Sequence, residues 1–331
     1  MAAEIYERDI QVGTEMAWHR LTQVVPEITT DNCGILYPME KQPLFLPSGI
    51  KTPHYVTVSL DDGLPIGPTV SEKYALISNG DVWCAVQEAL EGAHHKITSV
   101  GTVCDREKGF ISVELNEDFL AAGRQTQSRL NILWGHGGVS TVIAKSGFTM
   151  VVCGNTYNMA LKESGDFSFK IRHTGLAHLK IDDMKIAIET HFGVQEEFML
   201  ALNEFQEQSV SSGDALKFFA GFVVGKEKEK DTEVSTIAFN QYMELHKLFH
   251  RGAGNEGKNV ADVFAATTDF YTHGFADSEV SMQKRFVSSE FGTGQKRKEE
   301  VFKLLTDRKV PRVGDYDECV RRGEKVLQLA G

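Results

Sequence analysis

Residues 148–174 read FTMVVCGNTYNMALKESGDFSFKIRHT, and three elements are compressed into them. Phe148–Cys153 is a short, mostly apolar run, the pattern of a strand covered on both faces. Gly154-Asn155-Thr156 breaks that run and supplies helix-capping side chains. Tyr157–Glu163 is therefore expected as a helix, ended by Ser164-Gly165-Asp166. From Phe167 to Thr174 the chain alternates, with Phe167, Phe169 and Ile171 on one face and Ser168, Lys170 and Arg172 on the other. That is a half-buried strand with a basic outer face.

Upstream of this stretch the pattern is antiparallel β. Ile97–Cys104 and Phe110–Leu115 predict a hairpin joined by the polar loop Asp105–Gly109. Gln125–Trp134 is a third strand, with Leu130, Ile132 and Trp134 facing the core and Arg129 and Asn131 facing away. Gly135-His136-Gly137-Gly138 turns the chain into a fourth strand, Ser140–Lys145, and 148–153 is a fifth. Tyr55–Leu60 and Tyr74–Ile77 also read as strands, separated by the turn Asp61–Pro65, and the rest of 1–60 reads as largely irregular. Asn79-Gly80-Asp81 caps a helix over 81–91 whose stripe is Val82, Val86 and Leu90.

Downstream the chain turns helical. A long helix is expected over 182–208, with Gly193 as a possible break. Further helices are expected near 214–224, 235–250, 258–273, 281–289, 295–306 and 315–329. The fold class is α+β: a mainly antiparallel sheet with packed helices and a helical C-terminal half. The expected organisation is a core with its N-terminal arm over 1–175 and a helical region over 176–331.

Composition narrows the function classes. With 41% hydrophobic and 24% charged residues the chain is an ordinary globular one, and no apolar run approaches the ~20 residues that span a bilayer. The start, MAAEIYERDIQ, lacks the basic-then-apolar order of a signal peptide. Five scattered cysteines without a CxxC spacing fit free thiols in a reducing cytoplasm. The net charge of −11 repels nucleic acid overall, but it is uneven. Residues 1–90 carry five basic against twelve acidic side chains, whereas 91–175 carry nine against eight and 281–313 nine against four. A nucleic-acid role would need one of the last two regions as a local basic surface.

The chemical motifs are sparse. His246 and His250 have metal-ligand spacing on a helix, but HKLFH lacks the glutamate of HExxH and shows no third ligand nearby, so no metal is expected. The GHGG segment lies between strands and reads as a hairpin turn. GTGQKRK at 292–298 lacks the GxxxxGK[ST] spacing of a phosphate loop. Cys153 sits in an apolar run, where a thiol is an inert core group. Met16–Arg20 is an aromatic and basic cluster, read as an anchor of the N-terminal arm or as a contact surface. With no catalytic constellation and no cofactor fingerprint, an enzyme is not expected.

One pattern remains. Arg129, Lys145, Lys170 and Arg172 are expected to point away from the apolar face, with Arg124 and His173 at strand ends nearby. Strands ~4.8 Å apart would array them as a strip able to follow a phosphate backbone. The competing reading is an ordinary solvated sheet face.

TMVVCGNTYNMAL followed by FSFKIRHTG resembles the phage/plasmid-like proteins grouped as a domain of unknown function, which share a segment of the form RVVCxNT…AL and then irHT. Trp18-His19 is similar to the family's early WHGLG, although Arg20-Leu21-Thr22 departs from it. DVFAATTDFYTHG at 262–274 and the later FGTG resemble further family segments. The resemblance implies a phage, prophage or plasmid origin and a host-cell cytoplasmic location. Through a likeness to single-strand annealing proteins of the RecT, Redβ and Erf kind, it also implies an oligomer that binds single-stranded DNA without a nucleotide or other cofactor. The alternative is a factor that binds a host or phage protein, favoured by the acidity of residues 1–90.

Overall fold

A computed structural model describes residues 8–15, 21–91, 96–114, 118–137, 141–150, 155–160, 170–172, 184–226, 234–274 and 279–330. The chain forms two compact units, one made of 1–117, 128–147 and 159–195, the other of 118–127, 148–158 and 196–331. The α+β class holds: the strands are mostly antiparallel and the helices fill the C-terminal half.

The first unit holds most of a large sheet. Its strands are β1 (Gln11–Gly13), β2 (Gln23–Val24), then β3 (Met39–Phe45), β4 (Lys51–Ser59) and β5 (Pro65–Ser71) of a separate small sheet, followed by β6 (Lys96–Val103) and β7 (Lys108–Glu114). The chain continues through β8 (Phe119–Ala121), β9 (Arg124–Gly135), β10 (Thr141–Met150), β11 (Asn155–Ala160) and β12 (Lys170–Arg172). The large sheet runs β11-β10-β9-β7-β6-β1-β2, with β12 paired to β10 and β8 to β9. Two-residue alternation sets its faces: Ser128, Leu130 and Ile132 of β9 are buried, while Arg129 and Asn131 between them are half-buried. Trp134 is 2% exposed, in the core where the alternation puts it. Gly109 is opposite Trp134 in the β7–β9 register, and a Cβ at 109 would run into the indole.

Helix α1 (Asn79–Leu90) begins two residues before the expected 81. Ser78 is the N-cap, accepting from the Asp81 amide while the Asp81 carboxylate accepts from the Ser78 amide. That frees Asn79 for the interior: its Oδ1 accepts from Trp134 Nε1 at 2.8 Å, and its Nδ2 donates to the Ile35 carbonyl.

The small sheet has β3 and β5 at its edges. Prolines stand at 43, 53, 65 and 68 within its strands. Register shifts interrupt both of its pairings, at Pro43/Phe45 and at Tyr55/Thr57.

The helices that follow are α2 (Met184–Glu207), α3 (Ser212–Val224), α4 (Thr236–Arg251), α5 (Val260–Thr272), α6 (Glu279–Phe291), α7 (Thr293–Leu305) and α8 (Tyr316–Ala330). In the second unit an aromatic core gathers Phe148, Phe198, Phe205, Phe264 and Phe302, and Phe148 stacks on Phe198 with centroids 4.2 Å apart. Helices α3 and α8 are in close contact: a Cβ on Gly221 would meet the Cys319 carbonyl, and one on Gly323 the Lys217 carbonyl. Among the described residues, no helix is long and apolar enough to cross a membrane.

Several expectations are corrected. The helix expected from Tyr157 is strand β11 over Asn155–Ala160, because pairing with β10 overrides the local capping signal. The fourth strand and the start of the fifth are one continuous strand, β10. Tyr74–Ile77 is not a strand, whereas the proline-containing Pro65–Ser71 is. Residues 1–60 hold β1 to β4, of which only the end of β4 was expected, and most of the described residues there lie outside strands. Gly193 leaves α2 unbroken. Met16–Arg20, Cys153, 161–163 and most of the 226–231 charge run lie outside the described residues.

Candidate nucleic-acid interface

The basic face is fixed by what lies on the reverse of the sheet. Ser128 on β9 and Ser146 on β10 both reach His191 of α2, with Ser128 Oγ 2.6 Å from Nε2 and Ser146 Oγ 2.8 Å from Nδ1. All three are fully buried. Ser128 also donates to Gln195 Oε1 at 2.9 Å. A hydroxyl has one proton, so Ser128 accepts from His191 Nε2–H and Ser146 donates to Nδ1, which assigns the Nε2–H tautomer. Nothing in the spacing of 128, 146 and 191 announces this clasp.

Since 128 and 146 share the His191 side, alternation carries Arg129 and Lys145 on the other. The β10–β12 register sets Lys170 opposite Ile143 and Arg172 opposite Thr141. Positions 141, 143 and 145 have one parity, so 145, 170 and 172 belong to one face, the face of Arg129. The structure thus brings four of the six sequence-selected positions together on the backbone pattern. On the same face, Glu114 stands between Lys96 and Arg129 in adjacent register positions, an acid within the strip. One row further along, Ser112 Oγ donates to Asn131 Oδ1 at 2.7 Å.

The other two positions differ. His173 lies outside the described residues. Arg124, in the second unit, is held by its own neighbours: its guanidinium donates to the carbonyls of Ala261 and Gly254, to Asn255 Oδ1 and to Asp262 Oδ1, the last at 2.5 Å. Its charge is used in that ion pair, with its side chain 11% exposed.

A second charged cluster in the first unit escaped sequence reading, because its members are nearly 100 positions apart. Arg106 lies at the β6–β7 turn, where Cys104, Asp105 and Arg106 all have positive φ near 60°. Its guanidinium bonds Asp61 at 3.0 Å and the Ser59 hydroxyl at 3.1 Å, and covers the Tyr37 ring at 4.2 Å. Arg8 bridges Asp62 and Asp105. Asp9 Oδ1 accepts from the Arg106 amide at 2.8 Å, and burial pushes the Asp9 carboxyl up to about 6. The Ser59 hydroxyl, joined by Arg106, holds Asp61 below the usual carboxylate range.

The signature of a domain of unknown function, DUF932, matches residues 68–300, which takes in β6 to β12 and the helices through most of α7. The chain belongs to the DUF932 family. No curated protein and no solved structure matches the chain. The DUF932 match contains all six sequence-selected basic positions and the His191 clasp.

Proposed function

We propose that this DUF932 chain is a non-enzymatic single-stranded DNA binding and annealing protein of a phage or other mobile element, acting as an oligomer in the host cytoplasm. The observation that supports it is the common face of Arg129, Lys145, Lys170 and Arg172, opposite the His191 clasp. Cations on neighbouring strands suit a flexible phosphate backbone, which needs spaced charge more than base readout. His173 adjoins this strip in sequence. Arg124 has a supporting part, positioning β9 through Asp262.

The test is a salt titration of oligonucleotide binding by the purified chain. Phosphate-driven binding weakens steeply with salt. Absence of affinity at low salt overturns the proposal. A stoichiometric protein partner captured from nuclease-treated host lysate would favour the alternative of a protein-binding factor, to which the acidic residues 1–90 are suited.

A further inference from the structure

The two histidines with metal-ligand spacing in the sequence meet a serine in the fold. His246 and His250 stand one turn apart on α4, their rings 4.9 Å apart and perpendicular. Both aim Nε2 at the same oxygen: Ser212 Oγ is 2.9 Å from His246 Nε2 and 2.8 Å from His250 Nε2. The Ser212 carbonyl lies 3.1 Å from His246 Nε2 as well. Ser212 opens α3, and Ser211 before it takes the capping role by accepting from the Asp214 amide, so the Ser212 hydroxyl is not committed to the helix end.

We propose that His246, His250 and Ser212 form a site for a divalent first-row transition ion of the Zn2+, Ni2+ or Cu2+ kind. Two imidazole nitrogens converge on the Ser212 hydroxyl, with the Ser212 carbonyl beside the nitrogen of His246, and imidazole is the ligand these ions share. A metal about 2.0–2.1 Å from each nitrogen takes the place where the serine hydroxyl now mediates between the rings. The hydroxyl turns about its Cα–Cβ bond to ligate the ion. The ring of His250 is held from behind: a Cβ at Gly257 would collide with its Nδ1, so a glycine is required there, and its φ of +69° suits one. Phe249 packs edge-on against the same ring at 4.9 Å. The remaining coordination positions are left to water or an exogenous ligand, as at an open zinc site. His250 is exposed, and the ion enters directly from solvent. The site is independent of the basic sheet face and of the DNA-binding reading.

Isothermal titration of the metal-free full chain with Zn2+ and with Ni2+ tests it, alongside His246→Gln, His250→Gln and the double variant. The wild type is expected to bind one equivalent saturably and to gain thermal stability with the ion. Each single variant should bind at least tenfold more weakly and the double variant should lose the saturable event. Unfolding midpoints without metal show that the variants fold. Absence of saturable binding by the wild type, or binding unchanged in a folded double variant, overturns the site. Ser212→Ala reads the oxygen separately: weaker binding is expected, and tighter binding would remove Ser212 from the ligand set.

Discussion

Gly221 on α3 and Gly323 on α8 face each other so closely that neither position has room for a Cβ: the first would strike the Cys319 carbonyl and the second that of Lys217. This reciprocal contact sets the approach of the two helices. Gly323→Ala should therefore destabilise the chain. The helix-propensity gain of about 1 kcal/mol is outweighed by overpacking against backbone, which costs about 1–3 kcal/mol or more. Gly193 is the control, with nothing within 4 Å of its Cβ position. Gly193→Ala should stabilise by about 0.5–1 kcal/mol. Urea denaturation that ranks the two variants in the opposite order would refute this reading of the α3–α8 contact.

Arg124→Ala should cost about 3–5 kcal/mol, because it leaves the nearly buried Asp262 carboxylate without its cation. The same variant, where folded, should keep the salt dependence of oligonucleotide binding. A large change in that slope with unchanged stability would make Arg124 a direct phosphate contact.

Asp9 predicts a pH effect of definite sign. The folded carboxyl holds its proton up to about pH 6, while the ordinary value is 3.8. Between these values the folded chain binds the extra proton, so stability falls as pH rises through the window, by about 3 kcal/mol from this group. Asp9→Asn keeps the acceptor for the Arg106 amide and removes the charge. It should raise the urea midpoint at pH 8 and flatten the decline between pH 4 and 7. Asp269, pushed up to about 6 by burial and by Glu244, contributes a similar decline that the variant retains. Identical pH profiles for variant and wild type would exclude Asp9 as a source.

The paired change Lys170→Ala/Arg172→Ala tests the sheet face. If each side chain neutralises one phosphate, the salt slope for single strands should shrink in magnitude by about 1.4. Lys228→Ala/Lys230→Ala removes the same charge from the 226–231 run and should leave the slope nearly unchanged. Equal losses in the two would argue for a general charge effect with no role for this face.

The strands were legible where burial imposes alternation. Leu130 and Ile132 against Arg129 and Asn131, and Ala144 against Lys145, carry a two-residue signal that a single face of the sheet enforces. The C-terminal helices were legible for the same reason at the helical period, and Ser235 marks its helix start in sequence and structure alike. Asn155-Thr156 misled because a capping signal is local, whereas strand pairing is decided by a partner elsewhere in the chain. Pro65 reads in sequence as the end of a turn, yet an edge strand with an interrupted register accommodates both it and Pro68. The site was legible only as alternating charge. The clasp beneath it, the Asp262 partner of Arg124 and the Ser212 oxygen between two histidines are separated by 34 to 138 positions, and no periodicity links such distances.

The small sheet has a consequence for assembly. Its outer strands bear Pro43 on one side and Pro65 and Pro68 on the other, each a missing amide donor, and both ladders are broken by register shifts. An incoming strand would find no continuous row of donors and acceptors to zip onto. Strand addition to this sheet is therefore disfavoured on both sides, and the sheet ends bluntly instead of offering a template for further strands.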